Sequence, residues 1–245
     1  MTDPGGVLLE CRGLACGYGT MAVVRDLDLR VEAGEVVALI GPNGAGKTTT
    51  LLTLAGELPV IAGSVDFRGV QTTAPLFRRA RRGMGFVTEE RSVFKALTTE
   101  ENLRIAGVSP SQAADLFPEL APLMGRTAGL LSGGEQQMLT LARAVAREPV
   151  LLLADELSLG LAPLVVKRLL ETVRRVATER STGVLLVEQH VRQALRIADR
   201  VYLMQRGRIV MTGSADEVRG RIDEIEATYL STQETHPEPG TPDGA

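Results

Sequence analysis

The sequence predicts an α/β protein with a mainly parallel core sheet, an antiparallel β region near the N-terminus and an inserted helical subdomain. Three observations carry that expectation. Val36–Ile40, Val150–Ala154 and Val184–Val187 are short, continuously apolar runs, the length and character of strands buried on both faces. Each is followed by a helical pattern, over Lys47–Glu57, Pro163–Arg180 and a segment near His190–Ala198, and alternation of strand and helix builds parallel sheets. The stretch from about Thr98 to Arg147 is different: helical in pattern, without an evident strand, and broken by Pro110, Pro118 and Pro122.

Taken in chain order, Val7–Ala38 alternates apolar and polar residues, with Val24, Leu27, Leu29 and Val31 as an inward strand face and Ala33-Gly34-Glu35 as a turn. The helix after Val36–Ile40 offers Leu51, Leu52, Leu54 and Ala55 for packing. Met84–Val87 reads as a further strand, and Pro163 suits the first position of its helix. Phe77-Arg-Arg-Ala-Arg-Arg82 is a basic run, read as a solvated helix face. From about Ser231 the chain is polar and rich in Pro and Gly, the composition of a disordered tail, so a single domain is expected over 7–230.

Composition narrows the classes. The 245 residues carry 44% hydrophobic and 23% charged residues, ordinary for a globular domain. A net charge of −3 gives no reason to expect nucleic acid as a partner. Residues 1–14 lack a secretory signal pattern, and no apolar run has the length of a membrane span. Cys11 and Cys16 read as free thiols of a reducing compartment, since a metal site would need more ligands than His190 and His236 supply.

Chemistry concentrates in three places. Gly41-Pro42-Asn43-Gly44-Ala45-Gly46-Lys47-Thr48 fits G-x-x-x-x-G-K-[ST], the P-loop, and lies between a buried strand and a helix as the mechanism requires. Its glycines let backbone N–H groups turn toward phosphates, the helix start adds a positive dipole end, Lys47 reaches the terminal phosphates, and the Thr48 hydroxyl is a Mg²⁺ ligand; Thr49 completes the nucleotide-binding set. Val150-Leu-Leu-Leu-Ala-Asp155-Glu156 is an apolar strand ending in two acids at the edge where open α/β sheets bind ligands. Asp155 is the expected Mg²⁺ holder and Glu156 the general base for water. Leu131-Ser132-Gly133-Gly134-Glu135-Gln136-Gln137 opens a helix: a capping box on Ser132 and Glu135, or a second phosphate site at Ser132–Gly134.

LSGGEQQ, between a P-loop and a buried Asp-Glu strand, resembles the signature of ATP-binding cassette (ABC) proteins, and the resemblance covers roughly residues 7–230. It implies an ATPase requiring Mg²⁺, in which the signature of one subunit closes over ATP held by the P-loop of another. It also matches Tyr18, in Gly-Tyr-Gly, to the aromatic that stacks on adenine, the plain alternative being a strand-end tyrosine. Further segments are similar to the second ATP-binding subunit of branched-chain amino acid importers, whose relatives serve urea and amide uptake: Thr88-Glu-Glu-Arg-Ser-Val-Phe94, Glu101-Asn-Leu103, Leu116-Phe-Pro-Glu-Leu120, Ser158-Leu-Gly-Leu-Ala-Pro163 and Val187-Glu-Gln-His190. The implied partners are a second, different cassette, two transmembrane permeases and a solute-binding protein, at the cytoplasmic face of the membrane.

The sequence departs from the general cassette in places that bear on mechanism. Glu89 stands where most cassettes place a glutamine that senses Mg²⁺ and the membrane partner. Counting back from Ala198-Asp199-Arg200 puts Gln189, rather than His190, at the switch-histidine position. Glutamine hydrogen-bonds a phosphate but cannot become cationic, so hydrolysis is expected to be slower than at a histidine-bearing site. Leu157 replaces a proline and Ala154 a larger apolar residue, and the helical insert between Leu103 and Leu116 is short for these subunits. Two further readings stand beside the importer: a nucleotide-dependent module of weak turnover, and a non-transport ATPase of the same fold.

Overall fold

A computed structural model describes residues 6–223 and 225. The tail expected to be disordered lies outside the described residues. The chain starts with β1 (Val7–Tyr18) and β2 (Met21–Glu32), a long antiparallel hairpin. A bulge at Asp26, whose φ is +56°, explains why the buried face of β2 runs Val24, Leu27, Leu29, Val31, skipping one residue after Val24. Next come β3 (Val36–Ile40) and α1 (Lys47–Ala55). The helix stops two residues short of the expected Glu57, because Gly56 turns left-handed at φ +91° and its N–H caps the carbonyls of Leu52 and Thr53.

β4 (Val60–Phe67) and β5 (Val70–Gln71) join β1 and β2 in a four-stranded antiparallel sheet of order β2-β1-β4-β5. Then follow α2 (Leu76–Arg81) and β6 (Met84–Val87). The segment 98–147 holds α3 (Thr99–Ile105), α4 (Pro110–Leu116), two 3₁₀ turns and α5 (Gly133–Val145). Thr98, Ser109 and Ser132 each cap their helix with a complete capping box. β7 (Leu151–Asp155), α6 (Pro163–Arg180), β8 (Gly183–Glu188), α7 (Val191–Ala194), β9 (Arg200–Gln205), β10 (Arg208–Ser214) and α8 (Ala215–Arg219) complete the described chain. α7 is a single turn, shorter than the helix expected near His190–Ala198.

The second sheet has the order β10-β9-β3-β8-β7-β6, parallel except for the antiparallel edge strand β10. Its central strands are apolar up to their carboxyl ends because both faces are covered. Leu39, Leu153, Leu185 and Val187 face a core shared with α1 and the antiparallel sheet. Leu152, Ala154, Val184 and Leu186 face the helices α3–α6. Side chains alternate across a strand, so a five-residue apolar run serves two cores at once. The carboxyl ends of β3, β7 and β8 thereby converge on one edge, where the P-loop, Asp155 and Glu188 lie.

Candidate nucleotide site

β3 delivers the chain to the P-loop at full burial, and α1 leaves it with Lys47 as its first residue. Gly46 sits at φ +106° with Val24 Cγ2 only 2.7 Å from where a Cβ would be, so only glycine fits. Gly41, Pro42 and Ala45 are buried in the loop wall, while Asn43, Gly44, Gly46, Thr48 and Thr49 line a cavity of about 400 Å³. Tyr18, Glu89, Glu156 and Gln189 line the same cavity, Tyr18 from the end of β1 with 56% of its surface exposed. An exposed aromatic at the rim is placed to stack on a planar base. His190 is exposed, does not line the cavity and precedes α7.

Lys47 is buried. Its Nζ donates to the carbonyls of Gly41 at 2.9 Å and Pro42 at 3.2 Å and lies 3.6 Å from Glu156 Oε1. The ammonium is thus held inside the loop by acceptors that a phosphate outcompetes. Asp155, at the end of β7, is 3% exposed, and its Oδ1 has no hydrogen-bond partner among the described residues. Burial pushes its carboxyl up to about 6, with Glu156 and Glu89 adding to the rise and the Thr48 hydroxyl and Lys47 opposing it. A buried acceptor left unpaired beside a hydroxyl, within an excess of carboxylates over cations, is the donor set that suits a hard divalent cation. The residues present fit Mg²⁺.

Glu156 follows Asp155 in the left-handed region, at φ +43°, and its N–H donates to Val187 O at 2.9 Å. Leu157, where a proline was the general expectation, is packed in the helical core. Sequence reasoning assigned Glu188 no role. It is 1% exposed, accepts from Ser158 N at 3.2 Å and from the Ser158 hydroxyl at 2.8 Å, and burial foremost pushes it up to about 7. The signal was present, since Glu188 ends an apolar run at a strand's carboxyl edge just as Asp155 does.

Ser132–Gly134 do not line the cavity that holds the P-loop. Ser132 is exposed and its hydroxyl accepts from Glu135 N, while the Arg91 guanidinium lies against Gly133 and Val165 against Gly134. Within one chain, therefore, the second glycine-rich helix start is not part of the P-loop cavity. Cys11 and Cys16 are free and buried in β1, and the Cys16 thiol donates to Thr49 O on α1 at 3.9 Å. Burial pushes the Cys11 thiol far above its ordinary value, which leaves it unreactive.

A parallel sheet whose first core strand runs through G-x-x-x-x-G-K-T into a helix, beside a strand ending in Asp-Glu, defines a P-loop nucleoside triphosphatase. The family described as ABC transporter matches residues 24–158. The chain is 42% identical over 210 residues to the high-affinity branched-chain amino acid transport ATP-binding protein BraG of Pseudomonas aeruginosa, covering 81% of this chain and 90% of that protein. It is 35% identical over 237 residues to the lipopolysaccharide export system ATP-binding protein LptB of Escherichia coli, covering 91% and 96%. The structure of the ADP conformation of MJ1267, an ATP-binding cassette of an ABC transporter, superposes with a TM-score of 0.82 at 24% identity, over 92% of this chain and 99% of that one, a likeness of fold. The chain belongs to the ABC transporter family, as one of its ATP-binding subunits, and is an ATPase. Among the described residues no helix is long and apolar enough to cross a membrane.

Proposed function

We propose that this chain is an ATPase subunit of an importer for branched-chain amino acids or a related small solute such as urea or an amide. The observation that carries the reading is the 42% identity to BraG over 90% of that protein's length. On this reading residues 7–230 form one ATP-binding domain, peripheral at the cytoplasmic face of the membrane. The helical segment 98–147 faces two permease subunits, and a solute-binding protein delivers the cargo.

The proposed chemistry follows from the edge of the parallel sheet. Tyr18 stacks on adenine, and the N–H groups of Gly41–Thr49 with the start of α1 cradle the phosphates. Lys47 leaves the carbonyls of Gly41 and Pro42 for the terminal phosphates. Thr48, Asp155 and Glu89 hold Mg²⁺, which when bound offsets phosphate charge and polarises the terminal phosphoryl group. Glu156 accepts the proton of the attacking water, and Gln189 hydrogen-bonds the γ-phosphate. Ser132–Gly134, separate from this chain's own cavity, serve the nucleotide of a second cassette, whose own signature completes the site here. ATP binding closes the pair, and hydrolysis with phosphate release reopens it.

The identity to LptB supports a second reading, lipopolysaccharide export. Uptake of labelled leucine, urea and acetamide separates the two, in cells lacking this chain and in cells complemented with wild type or Glu156→Gln. The import reading expects one of these uptakes to be lost and restored only by wild type. Normal uptake of all of them with a lipopolysaccharide surface defect favours export.

A further inference from the structure

Glu156 does not rest in a relaxed conformation. It is a non-glycine residue with φ +43°, an uncommon conformation that surrounding contacts must favour. Those contacts come from the end of β8. Upstream, the Glu156 N–H donates to Val187 O. Downstream, the Ser158 N–H and hydroxyl donate to Oε1 and Oε2 of Glu188 at 3.2 and 2.8 Å. Ser158 is 5% exposed and Glu188 1%, so water does not substitute for either contact.

An aliphatic side chain would fill position 188 at lower cost. β8 is apolar from Val184 to Val187, its neighbour across the sheet is Ile40, and Asp155 and Glu156 repel a further carboxylate. A buried acid in such a place is accounted for by what it grips rather than by stability. What it grips is the loop that immediately follows Glu156.

We propose that Glu188 is a positioning residue for hydrolysis, its carboxylate clamping Ser158 so that the turn through Glu156 is held from both ends and the Glu156 side chain points at the water. The same strand end continues into Gln189, which lines the nucleotide cavity. β8 therefore joins the residue that meets the γ-phosphate to the residue that meets the water. This inference rests on the reading of Glu156 as general base.

The test measures phosphate release and ATP affinity on the full-length protein carrying Glu188→Ala, Glu188→Gln, Ser158→Ala, Glu188→Ala with Ser158→Ala, and Glu156→Gln. Glu188→Ala should lower kcat by about 10- to 100-fold, the scale of a misplaced reacting group, with the Kd for ATP within about threefold of wild type. Glu188→Gln should recover most of that loss, because its Oε1 still accepts from Ser158 N–H and its Nε2 donates to the Ser158 hydroxyl. Ser158→Ala removes one of the two contacts and should fall between, and the double variant should be no slower than Glu188→Ala. If Glu188→Ala does not fold, Ser158→Ala and Glu188→Gln still decide: a wild-type kcat in Ser158→Ala overturns the clamp. A kcat unchanged in Glu188→Ala beside an inactive Glu156→Gln overturns this inference alone, as do additive losses. Equal rates in wild type and Glu156→Gln overturn the reading of the site and the inference with it.

Discussion

Replacing Gly46 by alanine is a perturbation whose size can be worked from the structure. Gly46 sits at φ +106°, and a Cβ there would come 2.7 Å from Val24 Cγ2 and 3.6 Å from Val23 Cγ1. Backbone strain for an L residue on that side of φ is about 1–2 kcal/mol. Relieving the overlap with Val24, which is fully buried in the core shared with α1 and the antiparallel sheet, adds about 1–3 kcal/mol. Gly44 provides the control: it is left-handed at φ +76°, but nothing lies within 4 Å of its would-be Cβ, so alanine there incurs the strain alone. For a domain of this size each kcal/mol moves Tm by about 2–4 °C, so Gly44→Ala should lower Tm by roughly 2–8 °C and Gly46→Ala by roughly 4–20 °C. Gly46 also caps α1 and immediately precedes Lys47 in the phosphate loop, so Gly46→Ala should weaken ATP binding more than Gly44→Ala does. Thermal denaturation without nucleotide, paired with an ATP titration, reads both quantities. A Gly44→Ala loss equal to or larger than that of Gly46→Ala would refute the reasoning.

Three further outcomes follow from the same geometry. Gln189→Ala should reduce kcat by about tenfold, the worth of one transition-state hydrogen bond, with ATP affinity little changed, and an unaffected single-turnover rate would remove Gln189 from the mechanism. Arg79 is fully buried and donates to the carbonyls of Leu54, Thr72 and Ala74, closing the C-terminal end of α1; Arg79→Leu leaves those acceptors unpaired and should cost about 3 kcal/mol, so a Tm within 1 °C of wild type contradicts it. Glu188 is raised in the folded protein to about 7 from an ordinary 4.5, so between those values the folded state binds more protons than the unfolded state and stability falls as pH rises, the full penalty being present above pH 7. Glu188→Gln removes that dependence. Its Tm relative to wild type, measured without nucleotide or Mg²⁺, should therefore climb between pH 5 and pH 8, by at most about 3 kcal/mol in stability, and a flat difference contradicts the assignment.

What was legible in the sequence was whatever chemistry leaves little choice about. A strand buried on both faces must be apolar throughout, so Val36–Ile40 and the run ending at Asp155 stood out, and the P-loop glycines mark where backbone must approach a ligand. The strands β4 and β5 were not read, because β4 buries only Val65 and Phe67, is interrupted by Gly63, and shows no sustained alternation. The β9–β10 hairpin was missed for a related reason. Its two-residue turn, Arg206 at φ +48° and Gly207 at φ +75°, has the backbone of a type I′ turn, yet Arg-Gly lacks the Asn-Gly or Asp-Gly that usually announces one. Lys47–Glu57 was drawn too long because Gly56 ends the helix by its backbone conformation, which a reading of apolar spacing does not see. At the site, counting register placed Gln189 ahead of His190, and Gln189 is the one that lines the cavity. Glu188 escaped notice because an acid at a strand end is ordinarily solvated, and only the packing of the Ser158 loop over it makes it a buried group.

The central claim is that Gly41–Thr48 is half of an ATP site, completed by Ser132–Gly134 of another chain. Phosphate release per chain from Mg²⁺–ATP, measured across a range of protein concentrations with Glu156→Gln as the blank, tests it most directly. The account predicts a rate per chain that rises with concentration toward a plateau as two half-sites meet. A rate above the blank that persists at concentrations where the chain sediments as a monomer would mean that one chain holds a complete site, and would contradict it.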